Sequence, residues 1–137
     1  MKALSIKQPW VHAILRQGKN IENRSWTTAY RGWLALHASG RPRRDAIFPP
    51  GIRAADLHEV DYSAICGVAQ IVDVVTNSRS KWFWHPDDGS TNYGWVLAKV
   101  IALRSPICCD GALRLWEVPR KIMNEITCQL PNLRLDV

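Results

Sequence analysis

The sequence predicts an α+β fold, a small β-barrel of mixed strands flanked by two or three short helices. Its length of 137 residues is that of one domain, so we expect a single domain over residues 1–137. The apolar fraction of 47% and the charged fraction of 22% are those of globular proteins and exclude bulk disorder. Several strand patterns with only a few short helices favour a small barrel over a doubly wound parallel sheet.

The first 38 residues contain three strand patterns and one helix. A short apolar strand is expected over 3–6, and Pro9 then opens a helix, since the first turn does not need its missing N–H. Apolar residues at helical spacing continue this helix until Gly18 ends it. Residues 20–26, with alternate charges, and the apolar segment 32–38 are predicted as the next two strands.

The remainder of the chain predicts mostly strands. Segment 39–63 is irregular, with loop signals at its prolines and a short helical pattern over 52–60. Two long strands rich in β-branched residues follow, separated by an aromatic loop over 78–92, and a short strand and a helix close the chain. These strands are expected over 64–75, 93–103 and 113–117, and the helix over 119–127.

Positive charge is concentrated in the first part of the chain. The formal net charge is +6, yet residues 1–53 carry ten basic and two acidic side chains, whereas residues 54–137 carry eight basic and ten acidic ones. A basic half beside a near-neutral remainder is typical of a protein that turns one face to a polyanion. We therefore expect RNA or another nucleic acid as the partner, the alternative being a solvated face in a protein of high pI.

Simple patterns argue against other kinds of site and location. The four cysteines lack a Cys-x-x-Cys pair and no glycine-rich phosphate loop occurs, so we expect neither a metal nor a cofactor. A metal site that borrows His58 or His85 is the alternative. The apolar runs are far shorter than the ~20 residues that span a membrane, and the N-terminus lacks a secretory signal. We expect a cytoplasmic protein with no membrane contact, and the residues indicate no particular protein partner.

A charged constellation of Lys19, Glu22 and Arg24 follows the first helix directly. Side chains two residues apart in an extended segment share a face, so Glu22 and Arg24 point together and Lys19 can join them from the loop. Such a cluster suits a phosphate or a base edge, because Arg offers a planar fork, Lys a movable charge, and Glu an acceptor for an exocyclic amine. The alternative is an ordinary surface salt-bridge ladder.

Residues near this constellation are further candidates for ligand binding. Gln8 and Trp10 lie in the turn that opens the first helix, shortly before this constellation. Trp10 and Trp26 can each stack on a base, as in single-strand binders, or pack in the core. Arg43 and Arg44 form a basic loop suited to backbone phosphates, with a solvated loop as the alternative.

Two further features leave both a functional and a structural interpretation open. Trp82 and Trp84 interleave with Lys81 and suit either nucleic-acid contact or a packed loop. His37 ends a buried strand, where it can serve as a general base or as a hydrogen-bonded core histidine.

The chain also resembles a known family, the ASCH domain (activating signal cointegrator homology), which has a PUA-like β-barrel. The resemblance rests on Leu4-Ser5-Ile6-Lys7-Gln8-Pro9-Trp10, on Lys19-x-x-Glu22-x-Arg24-Ser25-Trp26 and on Arg31-Gly32, and it continues more loosely through most of the chain. The family signature usually places a glycine two residues before the lysine, whereas here Gly18 abuts Lys19. The intact Lys-x-x-Glu-x-Arg core implies that Lys19, Glu22 and Arg24 line a cleft for RNA, single-stranded nucleic acid or a modified nucleotide.

The same resemblance raises an enzymatic alternative. One bacterial branch similar to this domain deacetylates 4-acetylcytidine with a Lys-x-x-Thr-x-Arg motif whose threonine is the nucleophile. Glu22 stands at the threonine position here, so we expect no more than trace deacetylation. A nucleic-acid-binding module is therefore our first hypothesis. The second is a hydrolase on the same cleft, a ribonuclease or an amidohydrolase with Lys19 and Glu22 as catalytic residues, and the third is a protein-interaction adaptor.

Overall fold

The computed structural model describes residues 1–42 and 60–135, and every structural statement below refers to these residues. They form six strands and two helices: β1 (Lys2–Ile6), α1 (Trp10–Arg16), β2 (Ile21–Arg24), β3 (Gly32–Ala38), β4 (Ala64–Val75), β5 (Tyr93–Cys108), β6 (Leu115–Glu117) and α2 (Arg120–Gln129). The predicted α+β class and PUA-like small barrel with short flanking helices are confirmed. Neither described helix is long and apolar enough to cross a membrane. All but the last residue of the predicted helix over 52–60 lies outside the described residues.

One mixed sheet contains the six described strands, in the order β2-β5-β4-β3-β1-β6, and it curves into a half-barrel. Strands β1 and β3 are parallel, and all other neighbours are antiparallel. The register between β4 and β5 shifts three times, and such bulges bend and twist the strands that contain them. Across the open side of the half-barrel, Arg24 Nη2 of edge strand β2 donates a hydrogen bond to the Ser5 carbonyl of β1 at 3.1 Å.

The side chains of β1 and β3 contribute to a buried core on each face of the sheet, because successive residues of a strand point to opposite faces. Leu4 and Leu36 belong to one core cluster, which includes Val11 of α1. Ala3 belongs to a second cluster, which includes Ile126 of α2. Each helix therefore covers one face of the sheet, and α1 lies on the face that carries the candidate site.

Helix α1 sits close against the sheet because one glycine makes room for it. A Cβ atom added at Gly67 of β4 would lie 2.5 Å from Leu15 Cδ2 and 2.6 Å from the Ile101 carbonyl oxygen. Both separations are far inside van der Waals contact, so any larger residue at this position would push α1 or β5 away.

The predicted elements are found in the described part of the chain, and several of their ends differ from the prediction. Strand β5 continues beyond residue 103 to Cys108 and accommodates Pro106, which lacks an N–H, at a register shift where the ladder needs no donor. Strand β2 ends at Arg24, two residues early. Strand β6 begins at Leu115 because Arg114, directly before it, has a φ of +61°, which is outside the extended region, and Leu113 is 91% exposed.

Candidate nucleic-acid interface

A cavity of about 560 Å³ lies between the start of α1, strand β2 and the loop at residues 80–84. Pockets that hold cofactors and small ligands have volumes of roughly 300–1,000 Å³, so this cavity is large enough for one nucleotide-sized group. Half of its lining side chains are aromatic and three are charged. The lining consists of Trp10, Lys19, Glu22, Asn23, Lys81, Trp82, Phe83 and Trp84.

Gly18 directs Lys19 toward this cavity. Its φ of +73° lies in the left-handed region that glycine adopts without a steric penalty. The chain turns there, and the Lys19 backbone N–H donates to the Ala13 carbonyl of α1 at 3.1 Å. The Lys19 side chain is consequently folded back beside the helix, with Nζ 5.8 Å from the centroid of the Trp10 ring.

Strand β2 places Glu22 and Arg24 on one face of the sheet, as period-two alternation requires. Glu22 pairs in register with Trp95 of β5, which is fully buried in the core cluster beneath α1. Because directly opposed residues of an antiparallel pair share a face, the Glu22 carboxylate points to the same side as α1. The carboxylate is thereby held at the edge of the core and not in bulk solvent.

Lys19, Glu22 and Arg24 form one ion-paired group, called the charged cluster below. Lys19 Nζ lies 3.0 Å from Glu22 Oε1, and Arg24 donates to Glu22 Oε2 from Nη2 at 2.8 Å and from Nε at 3.1 Å. Lys19 Nζ also donates to the Ile21 carbonyl. The side chains of Lys19, Glu22 and Arg24 are 4%, 8% and 24% exposed, so the cluster is no surface ladder.

The hydrogen bonds of the charged cluster determine what it can offer a ligand. An ammonium has three N–H donors, and Lys19 uses two of them on Glu22 and the Ile21 carbonyl, so one donor remains. The Glu22 oxygens already accept three donors from Lys19 and Arg24, so the carboxylate mainly fixes the two cations in place. The cluster therefore presents a preorganised donor at the cavity, with a carboxylate that has little remaining accepting capacity.

Three consecutive residues, Trp82, Phe83 and Trp84, make up what we call the aromatic wall of the cavity. Phe83 is buried at 6% exposure and anchors the wall, whereas Trp84 is 56% exposed and Trp82 is half-buried. Lys81 Nζ lies 5.2 Å from the Trp82 ring centroid, within the range of a cation–π contact. Trp10 also lines the cavity, so a planar group entering it has aromatic neighbours from both α1 and the wall.

Other residues predicted for the site lie elsewhere. Gln8 is buried and hydrogen-bonded within the fold: its Oε1 accepts the His12 backbone N–H at 3.0 Å, and its Nε2 donates to the Asp61 carbonyl at 2.9 Å. Neither Gln8 nor Arg24 lines the cavity. Arg43 and Arg44 lie outside the described residues.

Trp26 packs against the protein on two sides and does not line the cavity. Its ring meets Trp95 edge to face, with centroids 4.8 Å apart, and its carbonyl accepts the Trp95 indole N–H at 3.2 Å. The Arg114 guanidinium lies 4.1 Å from the Trp26 ring centroid. A base could stack on the Trp26 face that Arg114 covers only if this arginine moved.

His37 is a core histidine, 2% exposed, and does not line the cavity. Its Nε2 lies 2.8 Å from the Cys109 carbonyl, which can only accept, so Nε2 carries the proton. Its Nδ1 then accepts from the Ser5 hydroxyl at 3.0 Å, and Ser5 Oγ accepts the Trp116 indole N–H at 3.1 Å. Both ring nitrogens are therefore used in joining β1 and β3 to the segment after β5.

Sequence reasoning missed Asn23, Phe83 and Asn92. Asn23 occupies a variable position of the Lys-x-x-Glu-x-Arg motif, between the charged residues Glu22 and Arg24. Phe83 is flanked by two tryptophans, and nothing in their order indicates which ring is buried. Asn92 is 4% exposed and lies directly before β5, where asparagine is an ordinary turn residue.

Comparisons with known proteins bear on the family of this chain. A search of curated proteins finds no match. The family model described as "ASCH domain" matches residues 4–106, which is most of the chain and includes the charged cluster, the aromatic wall and all or most of five of the six described strands. In agreement with the sequence resemblance, the chain belongs to the ASCH domain family.

Proposed function

We propose that this protein binds RNA, or another single-stranded nucleic acid or modified nucleotide, by receiving one unstacked base in the cavity described above. The single observation that carries the proposal is the pairing of aromatic side chains with a buried, preorganised charged cluster in a cavity of nucleotide size. The ASCH domain is a PUA-like family generally linked to RNA binding. Family membership and site chemistry therefore favour the same class of ligand.

The aromatic lining supports a base as the group that enters. Proteins that recognise single strands stack splayed bases on aromatic rings, and each stacked base contributes about 1–3 kcal/mol. Trp84, the most exposed member of the aromatic wall, has a free surface for such stacking, and Trp10 belongs to a different element of the same cavity. A planar ring that contacts both side chains buries apolar surface against each of them.

The charges of the cavity favour a neutral or anionic ligand over a cationic one. An aromatic cage for a methylated ammonium works by cation–π attraction and is typically free of competing cations. Here the Lys19 ammonium is already in the lining, and Lys81 lies over the Trp82 ring. The remaining Lys19 donor suits a carbonyl or ring nitrogen of a base, and the exposed Lys81 suits a backbone phosphate.

The hydrolase alternative uses the same residues and has less support. A general base needs a lone pair directed at the proton it removes, whereas both Glu22 oxygens face donors from Lys19 and Arg24. His37, the other candidate base, is buried and lies away from the cavity lining. Binding without turnover is therefore the function that the geometry supports best.

Fluorescence anisotropy with a labelled single-stranded RNA of twelve nucleotides tests the proposal. Trp84→Ala should weaken binding about 5- to 150-fold, since stacking contributes about 1–3 kcal/mol per base and a tenfold change corresponds to 1.4 kcal/mol. Leu113→Ala is the matched control, because Leu113 is also a large exposed apolar side chain and does not line the cavity. Equal affinities of wild type and Trp84→Ala would overturn the proposal.

Lys81 gives a second, electrostatic arm to this experiment. Each phosphate contact to a single strand contributes a slope of about −0.7 in log affinity against log salt. Lys81→Ala should make the slope shallower by roughly that amount. Lys121→Ala, which removes an exposed lysine of α2, should leave the slope unchanged. Equal effects of the two variants would indicate attraction by total charge and not by this cavity.

A further inference from the structure

Two asparagine side chains hold the aromatic wall against the sheet. Asn23 Nδ2 donates to the Trp82 carbonyl at 2.9 Å, and Asn23 Oδ1 accepts the Trp84 backbone N–H at 3.1 Å. Asn92 Nδ2 donates to Asn23 Oδ1 at 2.8 Å and to the Trp84 carbonyl at 2.9 Å. Asn23 and Asn92 thus bind the backbone of both tryptophans, and we call this pair the amide clamp.

Asn92 is the buried half of the amide clamp. It is 4% exposed, and burying an amide is costly unless its polar groups are hydrogen-bonded. Both of its hydrogen bonds go to the clamp, one to the side chain of Asn23 and one to the backbone of Trp84. Its position directly before β5 connects the wall rigidly to a central strand of the sheet.

Phe83, the apolar anchor of the wall, does not by itself determine the orientation of the Trp82 and Trp84 rings. Phe83 packs on Gly94, where an added Cβ would lie 2.7 Å from Phe83 Cδ2. Apolar packing holds the loop down but is non-directional, whereas hydrogen bonds require a defined geometry. Because Trp82 and Trp84 flank Phe83, the clamp on their backbones controls how they are turned toward the cavity.

We infer that Asn92 is a positioning residue of this site: through its hydrogen bonds to Asn23 and to the Trp84 carbonyl, it fixes Trp82 and Trp84 in the orientation that receives a base. The part of the inference that concerns the ligand rests on the proposed function, whereas the orientation of the wall is a property of the free protein. Asn92→Asp is the sharpest perturbation. It keeps the size of the side chain but replaces the amide NH₂ by a carboxylate oxygen. That oxygen cannot donate, so it faces Asn23 Oδ1 and the Trp84 carbonyl, both acceptors, without a hydrogen bond.

Fluorine NMR of the free protein tests the orientation of the wall. With 5-fluorotryptophan incorporated, each of the seven tryptophans contributes one signal, and tryptophan-to-phenylalanine variants assign those of Trp82 and Trp84. We expect Asn92→Asp to shift or broaden these two signals and to leave that of the core residue Trp33 in place. Unchanged Trp82 and Trp84 signals in a folded variant would overturn the inference.

A matched control and a second variant complete this arm. Gln129→Ala removes a comparable clamp, since the Gln129 amide holds the Ser105 backbone with bonds of 3.0 and 2.8 Å outside the cavity lining. It should not move the signals of Trp82 and Trp84. If Asn92→Asp does not fold, Asn23→Ala, at the half-buried partner, breaks the same clamp and should produce the same spectral change.

RNA titrations separate positioning from a general loss of structure. Asn92→Asp should weaken binding of the twelve-nucleotide RNA about tenfold, within the range of roughly 5- to 150-fold for the loss of one stacked base. For the uncharged variant Asn23→Ala, the slope against salt should stay that of the wild type, because no phosphate contact is removed and no charge is added. A wild-type protein that does not bind this RNA refutes the proposed function alone. Wild-type-like affinity of folded Asn92→Asp refutes the positioning role alone.

Discussion

The charged cluster makes a quantitative prediction about stability. In Glu22→Leu, the Lys19 ammonium, only 4% exposed, keeps the Ile21 carbonyl as its partner and loses its counter-ion. Removing one partner of a buried ion pair typically costs about 3–5 kcal/mol, a large part of the roughly 5–15 kcal/mol that stabilises a domain. In Lys19→Met, Glu22 keeps both hydrogen bonds from Arg24, so the expected cost is smaller, about 1–3 kcal/mol.

The double variant Lys19→Met/Glu22→Leu should recover much of the lost stability. Replacing a buried ion pair by apolar residues of similar volume is often neutral or stabilising, and Arg24, 24% exposed, keeps its hydrogen bond to Ser5 and its access to water. We expect the double variant within about 2 kcal/mol of the wild type, so the two substitutions are strongly non-additive. The same variant should bind RNA weakly, because the cavity has lost its ammonium donor.

Urea denaturation followed by circular dichroism measures these differences. With a slope of about 1–3 kcal/mol per molar urea, Glu22→Leu should lower the midpoint by roughly 2 M, and the double variant by less than half of that. Strict additivity of the two single substitutions would refute the claim that Lys19 and Glu22 are coupled inside the protein. A mild effect of Glu22→Leu would indicate that Lys19 finds water in the cavity.

Further predictions concern three separate parts of the molecule: Gly94, Cys66 and Glu22. Gly94→Ala should destabilise the protein by about 1–3 kcal/mol in thermal melts and weaken RNA binding, because the added Cβ would displace Phe83 beneath the aromatic wall. A variant that melts and binds like the wild type would contradict this prediction. Burial raises the pKa of the Cys66 thiol to about 11, so at pH 8 mass spectrometry should find exposed Cys128 alkylated well before Cys66. Because the folded state holds that Cys66 proton more tightly than the unfolded chain, stability should fall as the pH rises from about 9 toward 11, and Cys66→Ala should flatten this fall. Because Glu22 stands where the similar deacetylase branch has its threonine, incubation with 4-acetylcytidine should release no more than traces of cytidine, as followed by chromatography. Turnover near the ~10 per second typical of enzymes would contradict this.

The sequence was sufficient for the elements whose signals are local. Pro9 and Gly18 define the ends of α1 because each has an intrinsic backbone preference that neighbours do not override. Period-two alternation was enough to place Glu22 and Arg24 on one face of β2. The charged cluster could therefore be predicted from spacing, whereas its burial could not, since that depends on Trp95, more than seventy residues away in β5.

The aromatic wall could not be predicted because its conformation is set by distant partners. Residues 80–84 have no periodicity, and their backbone groups bind Asn23 in β2 and Asn92 before β5. Gln8 is an example in which distant partners remove a residue from the expected ligand contacts. Its motif position suggested ligand contact, but its amide is used by the helix backbone and by Asp61, a partner that no local pattern identifies.

Under the proposed function, long-range attraction to the nucleic acid and selection of the bound base are assigned to different residues. The charged cluster contributes two cations and one anion that are largely hidden from solvent, so its long-range field is weak, whereas its cost in desolvation is high. The charged cluster therefore adds little attraction at a distance, although burying it is costly. Selecting among ligands that are already close to the cavity is a role that fits both properties. Attraction to the polyanion must then come from exposed basic side chains such as Lys81. The remaining net positive charge of residues 1–53 would add to this attraction. The proposed function therefore predicts that salt controls how strongly RNA binds, and that substitutions in the buried cluster change which base is accepted.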